Sequence, residues 1–292
     1  MSKRLLITGA SGQLGNSVLN QLFGKYDLLS TDIIHTNRSD VPFAILDISN
    51  FAKIKNILSE FNPDVIINLA AYTDVDGCEL NQNKAYLLNS KSVEMLSDNF
   101  NGQFIQISTD YVFDGISGPY TENDDTNPIN IYGKTKLQAE NVLDHSDNDW
   151  CILRTNVLFD YYKGTEASFI KWVIDSLKSN KSINVVDDQW NNPTWTLNLA
   201  EIIELIIKNN VKGLYNYGGA DYLNRFEFAQ IIADIFNLDK TLISPIKTQS
   251  LNQTAKRPLK GGLKIEKIER ELDIKCTDLN TSLNIIKSQI LE

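Results

Sequence analysis

Arg4-Leu5-Leu6-Ile7-Thr8, followed without a break by Gly9-Ala10-Ser11-Gly12-Gln13-Leu14-Gly15, is the stretch that decides the fold. An apolar run of strand length stops at a glycine, and glycine then recurs at every third position into a helical pattern. Gly9 permits a tight turn, Gly12 leaves backbone N–H groups open to a pyrophosphate, and Gly15 lets the helix pack closely on the strand. The dipole of that helix favours an anion at its start. Strand, spacing and position together predict a dinucleotide seated on Gly9, Ser11, Gly12, Gln13 and Leu14.

Working outward, short β-branched runs near 4–8, 27–31, 43–46, 64–69 and 103–108 alternate with helical patterns. Such alternation implies an α/β fold, a Rossmann-type doubly wound parallel sheet with helices on both faces. Asp64-Val65-Ile66-Ile67-Asn68-Leu69 is apolar on both faces, as a central strand requires. Tyr132–Leu143 has helical character and Trp150–Thr155 reads as a further strand. From about 160 the order loosens, with helices expected at 166–179, 197–208, 225–237, 264–272 and 279–291 and strands at 183–186 and 213–217. Both of those strands are expected to extend the parallel sheet. The division that follows is a dinucleotide-binding domain of 1–157 with 183–217, and a smaller, mainly C-terminal substrate lobe of 158–182 with 218–292.

Of the 292 residues, 42% are hydrophobic, ample for a core of this size. The net charge of −9 leaves no basic surplus to neutralise phosphates along an extended surface, so neither a nucleic acid nor an anionic membrane is expected as partner. Cys78, Cys151 and Cys276 lack metal-ligand spacing, and with only His35 and His145 present no metal site is expected. Three scattered cysteines, which cannot all pair within one chain, and a first strand that begins within a few residues of Met1 point to the cytoplasm.

Asp32 follows Leu28-Leu29-Ser30-Thr31, about 20 residues beyond the glycines, where an acidic residue accepts hydrogen bonds from the adenosine ribose and repels a 2′-phosphate. NADH is therefore favoured over NADPH, with Arg38 as the nearby cation that would tolerate the phosphate. Asp47-Ile48 and Ala70-Ala71-Tyr72 follow the third and fourth strands and are expected against the same cofactor, the alanines letting it pass close to the backbone.

Tyr132-Gly133-Lys134-Thr135-Lys136 sets a phenol and an ammonium four residues apart on one helix face. A tyrosine titrating ordinarily at about 10 needs a neighbouring cation and the cofactor to move it toward neutrality, and the spacing offers the cation. Phe104-Ile105-Gln106-Ile107-Ser108-Thr109-Asp110 is a strand ending in hydroxyls, and its end belongs at the ligand crevice, where Ser108 or Thr109 binds a reacting oxygen.

With these motifs, Ser108-Thr109-Asp110-Tyr111-Val112-Phe113-Asp114-Gly115 and Tyr132-Gly133-Lys134-Thr135-Lys136-Leu137 above all, the chain resembles extended short-chain dehydrogenase/reductases, and more narrowly the dTDP-4-dehydrorhamnose reductase family. Asn68–Asp76, Arg154-Thr155, Asp188–Thr194 and Arg257-Pro258 extend the likeness over nearly the whole length. The resemblance implies hydride transfer from NADH or NADPH to the C4 ketone of a nucleotide-linked 6-deoxysugar, with dTDP-4-dehydro-L-rhamnose giving dTDP-L-rhamnose for polysaccharide biosynthesis. It implies Tyr132 as proton donor, Lys136 on the nicotinamide ribose and Thr109 on the substrate oxygen. Asp110, Tyr111, Val157 and Arg257 are then substrate-binding positions. Val157 and Asn191 stand where the family commonly carries Trp and Gly, so sugar selectivity is expected to differ. Trp190 either supplies the aromatic surface lost at Val157 or packs in the core. A homodimer is left open. The competing readings are a sugar-nucleotide epimerase or dehydratase that retains NAD, and a non-catalytic regulatory subunit of the methionine adenosyltransferase type.

Overall fold

A computed structural model describes residues 2–35, 38–161 and 168–291. Seven parallel strands form the central sheet: β1 (Arg4–Thr8), β2 (Asp27–Asp32), β3 (Phe43–Ile45), β4 (Val65–Asn68), β5 (Gln103–Thr109), β6 (Asp149–Thr155) and β7 (Gly213–Asn216). Their order across the sheet is β7-β6-β5-β4-β1-β2-β3, so the winding reverses between β1 and β4. Ligand crevices open at such a reversal, beyond the carboxyl ends of the strands.

The apolar runs form strands here because both faces of the sheet are covered. Along β1, Leu5 and Ile7 point into one core and Leu6 into the other, and Val65 and Ile67 against Ile66, and Cys151 and Leu153 against Ile152, repeat the alternation. The first face is closed by α1 (Gln13–Leu22) through Leu14, Val18 and Leu22, together with α5 (Thr196–Asn209) through Leu199, Ile203 and Ile206. The second is closed by α2 (Phe51–Phe61) through Ile54 and Leu58, and by α3 (Ile131–Asp144) through Ala139 and Leu143. Each of these leucine, isoleucine and valine side chains contributes about 1.5–3 kcal/mol by leaving water. Helix starts are marked by polar caps: Asn50 accepts from Lys53 N ahead of α2, and Asn130 from Gly133 N ahead of α3.

A separate apolar cluster joins α4 (Phe169–Lys178), α6 (Arg225–Ile235) and α7 (Leu279–Leu291), with Val173, Ile174, Phe228, Ile232 and Leu283 among its buried members. The strand Ile183–Val186 belongs to this cluster. It pairs in parallel with Ile243–Ile246 and does not extend the central sheet, whereas Gly213–Asn216 does. Ile183 and Val185 pack under α6, and a four-residue apolar run carries no mark of which sheet it will join. The first positions of the helix expected at 166–179 lie outside the described residues. No helix among the described residues is long and apolar enough to cross a membrane.

Candidate active site

A cleft of about 850 Å³ runs along the carboxyl ends of β1, β2, β4, β5 and β6. Its first wall is the glycine turn. Gly9 holds φ +66, and a Cβ on Gly15 would stand 2.5 Å from Ala10 O, so only glycine lets α1 lie this close to the turn. The N-terminus of α1 carries no side-chain cap and no acidic residue in its first turn, which fits a site for the diphosphate of a dinucleotide. Asp32 accepts from Ser11 N at 2.9 Å and from Ile33 N at 2.6 Å, fixing its carboxylate at the end of β2. Asp47 accepts from Ser49 Oγ at 2.7 Å and Ser49 N at 2.8 Å, which holds its carboxyl below the usual range. Ala70, Ala71 and Tyr72 continue the wall after β4, and the Tyr72 ring lies 4.6 Å under the Lys84 ammonium. Arg38 is drawn to Asp40 at 2.5 Å and over the Phe23 ring at 5.3 Å.

The second wall comes from β5 and α3. Thr109 ends β5 and its Oγ1 accepts from Tyr111 N at 3.1 Å, turning the chain into a short 3₁₀ segment, Asp110–Val112. A Cβ on Gly133 would stand 2.1 Å from Tyr111 O, so the glycine beside Tyr132 lets α3 seat itself on that turn. The rings of Tyr111 and Tyr132 consequently meet edge to face at 5.7 Å. Burial pushes the Tyr132 phenol well above its ordinary pKa, opposed by a hydrogen bond with Thr109. The sequence reading has Lys136 and the bound cofactor together drawing that phenol toward neutrality. Here burial dominates, and Lys136 Nζ donates to Ile107 O at 2.6 Å. Burial also pulls Lys136 down to about 8 against the opposing charge of Glu140, one turn further along α3. Asp110 is buried, accepts from Gly262 N at 3.1 Å, and is pushed up to about 6 by loss of water.

Of the site residues predicted from the sequence, all but Ser11 and Arg257 line this one cleft. Ser11 stands behind it, donating from Oγ to Ile34 O at 2.6 Å. Arg257 turns away as well: its guanidinium donates to both Asp76 carboxylate oxygens, at 2.9 and 3.2 Å, and to Ala255 O at 3.0 Å. It clamps the C-terminal segment to the helix Val75–Leu80, and Pro258 reaches the cleft in its place. Val157 lines the cleft at φ +41, a conformation that costs a β-branched residue about 1–3 kcal/mol and that collects at functional sites. Trp190 also lines the cleft, tilted against Tyr222 at 5.8 Å, so it is a wall residue and not a core one.

Two charged groups escaped the sequence reading. Glu140 is buried, accepts from Ser108 Oγ, and pairs with Arg154 through Nη2 at 2.6 Å and Nε at 3.0 Å. Its signal was available, since Tyr132, Lys136 and Glu140 recur every fourth residue on one face of α3. Arg225 enters the cleft from the first position of α6, and no local spacing marks it.

The RmlD substrate binding domain family matches residues 3–290. A dTDP-4-dehydrorhamnose reductase of Aggregatibacter actinomycetemcomitans is 34% identical, with 98% of each chain covered. Methionine adenosyltransferase 2 subunit beta of Xenopus tropicalis is 32% identical over 92% of this chain and 82% of that protein. Among solved structures, a dTDP-4-dehydrorhamnose reductase from Bacillus anthracis in complex with NADP superposes with a TM-score of 0.90 at 28% identity, covering 99% of this chain and 100% of the other.

Proposed function

The chain belongs to the RmlD substrate binding domain family, the dTDP-4-dehydrorhamnose reductases and their relatives, and on that premise we propose that it reduces the C4 ketone of a nucleotide-diphospho-4-keto-6-deoxysugar, dTDP-4-dehydro-L-rhamnose first among the candidates. The observation that carries the reading is the meeting of the glycine turn with Thr109, Tyr132 and Lys136 on a single cleft. It is an NAD(P)H-dependent oxidoreductase: the cofactor, held by Gly9, Gly12, Gln13, Leu14, Asp32, Asp47 and Ala70–Tyr72, supplies the hydride.

The residues of the second wall manage the proton. Tyr132, kept protonated at neutral pH by burial, holds a proton ready for the oxygen that gains charge when the ketone is reduced. Thr109, on the same wall of the cleft at the end of β5, orients that oxygen. Lys136, anchored on Ile107 O, holds the nicotinamide ribose and places a positive charge near the phenol as its proton leaves. Asp110 and Tyr111 contact the sugar. The fixed carboxylate of Asp32 supports NADH over NADPH, because its charge repels a 2′-phosphate.

The test is spectroscopic. Purified protein should consume NADH or NADPH only when a 4-keto sugar nucleotide is added, and failure with dTDP-, UDP- and GDP-linked ketosugars alike refutes the reading. Dinucleotide binding without reduction, combined with stoichiometric co-purification with a second enzyme, would favour the regulatory-subunit role that one relative bears.

A further inference from the structure

The sequence contains six arginines, and five of them pair with a carboxylate: Arg4 with Asp27, Arg38 with Asp40, Arg154 with Glu140, Arg257 with Asp76 and Arg270 with Glu271. Arg225 does not. Its guanidinium makes no hydrogen bond or ion pair among the described residues, yet it is partly buried, lies 5.4 Å over the Phe169 ring and lines the cleft. Removing a cation from water without a partner is costly, so a wall that holds one there is arranged for an anion. The guanidinium fork, with five donors in a plane, suits phosphate oxygens better than any other side chain.

Its position narrows the anion. Arg225 acts electrostatically on Tyr111 and Asp110, the two residues that follow Thr109, and the Tyr111 ring in turn meets that of Tyr132 edge to face at 5.7 Å. C4 and the anomeric carbon lie opposite each other across a pyranose ring, so with the C4 oxygen at Tyr132 the diphosphate of a sugar nucleotide meets another part of the same cleft, whose lining includes Arg225. The backbone at the start of α6 is already occupied, since Asn224 and Glu227 cap each other reciprocally. Recognition thus falls to the side chain, with the helix dipole adding to its potential.

We propose that Arg225 binds the diphosphate of the nucleotide-sugar substrate and thereby positions the sugar for reduction. The proposal rests on the reading of the cleft given above. Isothermal titration with dTDP, UDP, thymidine and uridine tests it without turnover. The wild-type protein should bind both diphosphates more tightly than their nucleosides. Arg225→Met should lose about tenfold or more in diphosphate affinity while binding thymidine, uridine and NAD(P)H as before, and Arg225→Lys should recover part of the loss. In the reductase assay the same loss should fall on KM rather than kcat. Unaltered dTDP and UDP affinity in Arg225→Met, or a wild type that prefers neither diphosphate to its nucleoside, overturns the proposal. Arg225-dependent diphosphate binding in a protein that reduces no ketosugar upholds the diphosphate site and refutes the reductase reading on which the positioning role rests.

Discussion

Glu140→Gln should weaken the fold and shift the pH dependence of turnover together, because one carboxylate serves both. Glu140 and Arg154 are almost fully buried, and the pair closes at 2.6 Å with Ser108 Oγ as a further donor. Neutralising the carboxylate leaves Arg154 as an uncompensated charge inside the protein, a loss of about 3–5 kcal/mol. At about 2 °C per kcal/mol for a chain of this order of size, the melting temperature should fall by roughly 6–10 °C. The second effect runs through Lys136, whose pKa near 8 is the balance of burial pulling down and Glu140 pulling up. Without that negative charge the lysine loses its proton at lower pH. Since the ammonium is the form that supports Tyr132, the alkaline limb of kcat/KM, expected near 8 in the wild type, should move toward neutrality. Calorimetric melting and a pH profile of ketosugar reduction read the two effects separately. A Glu140→Met, Arg154→Met double variant should recover much of the stability, because no charge is left stranded, but should keep the shifted limb. An unchanged melting temperature in Glu140→Gln would refute the stability argument, and an unmoved alkaline limb would refute the coupling to Lys136.

Tyr132→Phe should lower kcat by about a hundredfold or more through loss of the proton donor, with NAD(P)H affinity retained, and near-normal turnover would contradict the role given to the phenol. Asp32→Asn removes the charge and keeps one of the two oxygens that accept from Ser11 N and Ile33 N, so the ratio of NADPH to NADH affinity should rise; an unaltered ratio by fluorescence titration would show that the carboxylate does not discriminate. Gly15→Ala places a methyl 2.5 Å from Ala10 O, and the turn must open to admit it. Dinucleotide affinity should drop by about tenfold or more and the melting temperature with it, and wild-type behaviour in both would show that the close packing of α1 is dispensable.

The readings that held were local ones. The alternation of Leu5, Leu6 and Ile7 between two cores is written into consecutive residues, and the run Val65-Ile66-Ile67 behaves in the same way. The spacing of Tyr132 and Lys136 places both on one face of α3 whatever surrounds it, and Ser108-Thr109-Asp110 reaches the cleft because it ends a central strand. The strand Ile183–Val186 was legible as a strand but not in its partner, which lies sixty residues further on at Ile243–Ile246. The depth of burial that raises the Tyr132 phenol was not legible either, since chain spacing reports the lysine and not the water excluded around it.

What the sequence determined by itself is therefore the backbone plan and its chemical vocabulary: a doubly wound sheet, a glycine turn open to a diphosphate, and a hydroxyl, a phenol and an ammonium at one crevice. These follow from periodicity and from steric rules that act within a few residues. Only the tertiary structure decided which charges meet. It turned Arg257 onto Asp76, enclosed Glu140 with Arg154, and brought Arg225 into the cleft with no ion pair among the described residues. The physical reason is that an ion pair, or its absence, depends on water being excluded around side chains far apart in the chain, and that exclusion exists only once the layers have packed.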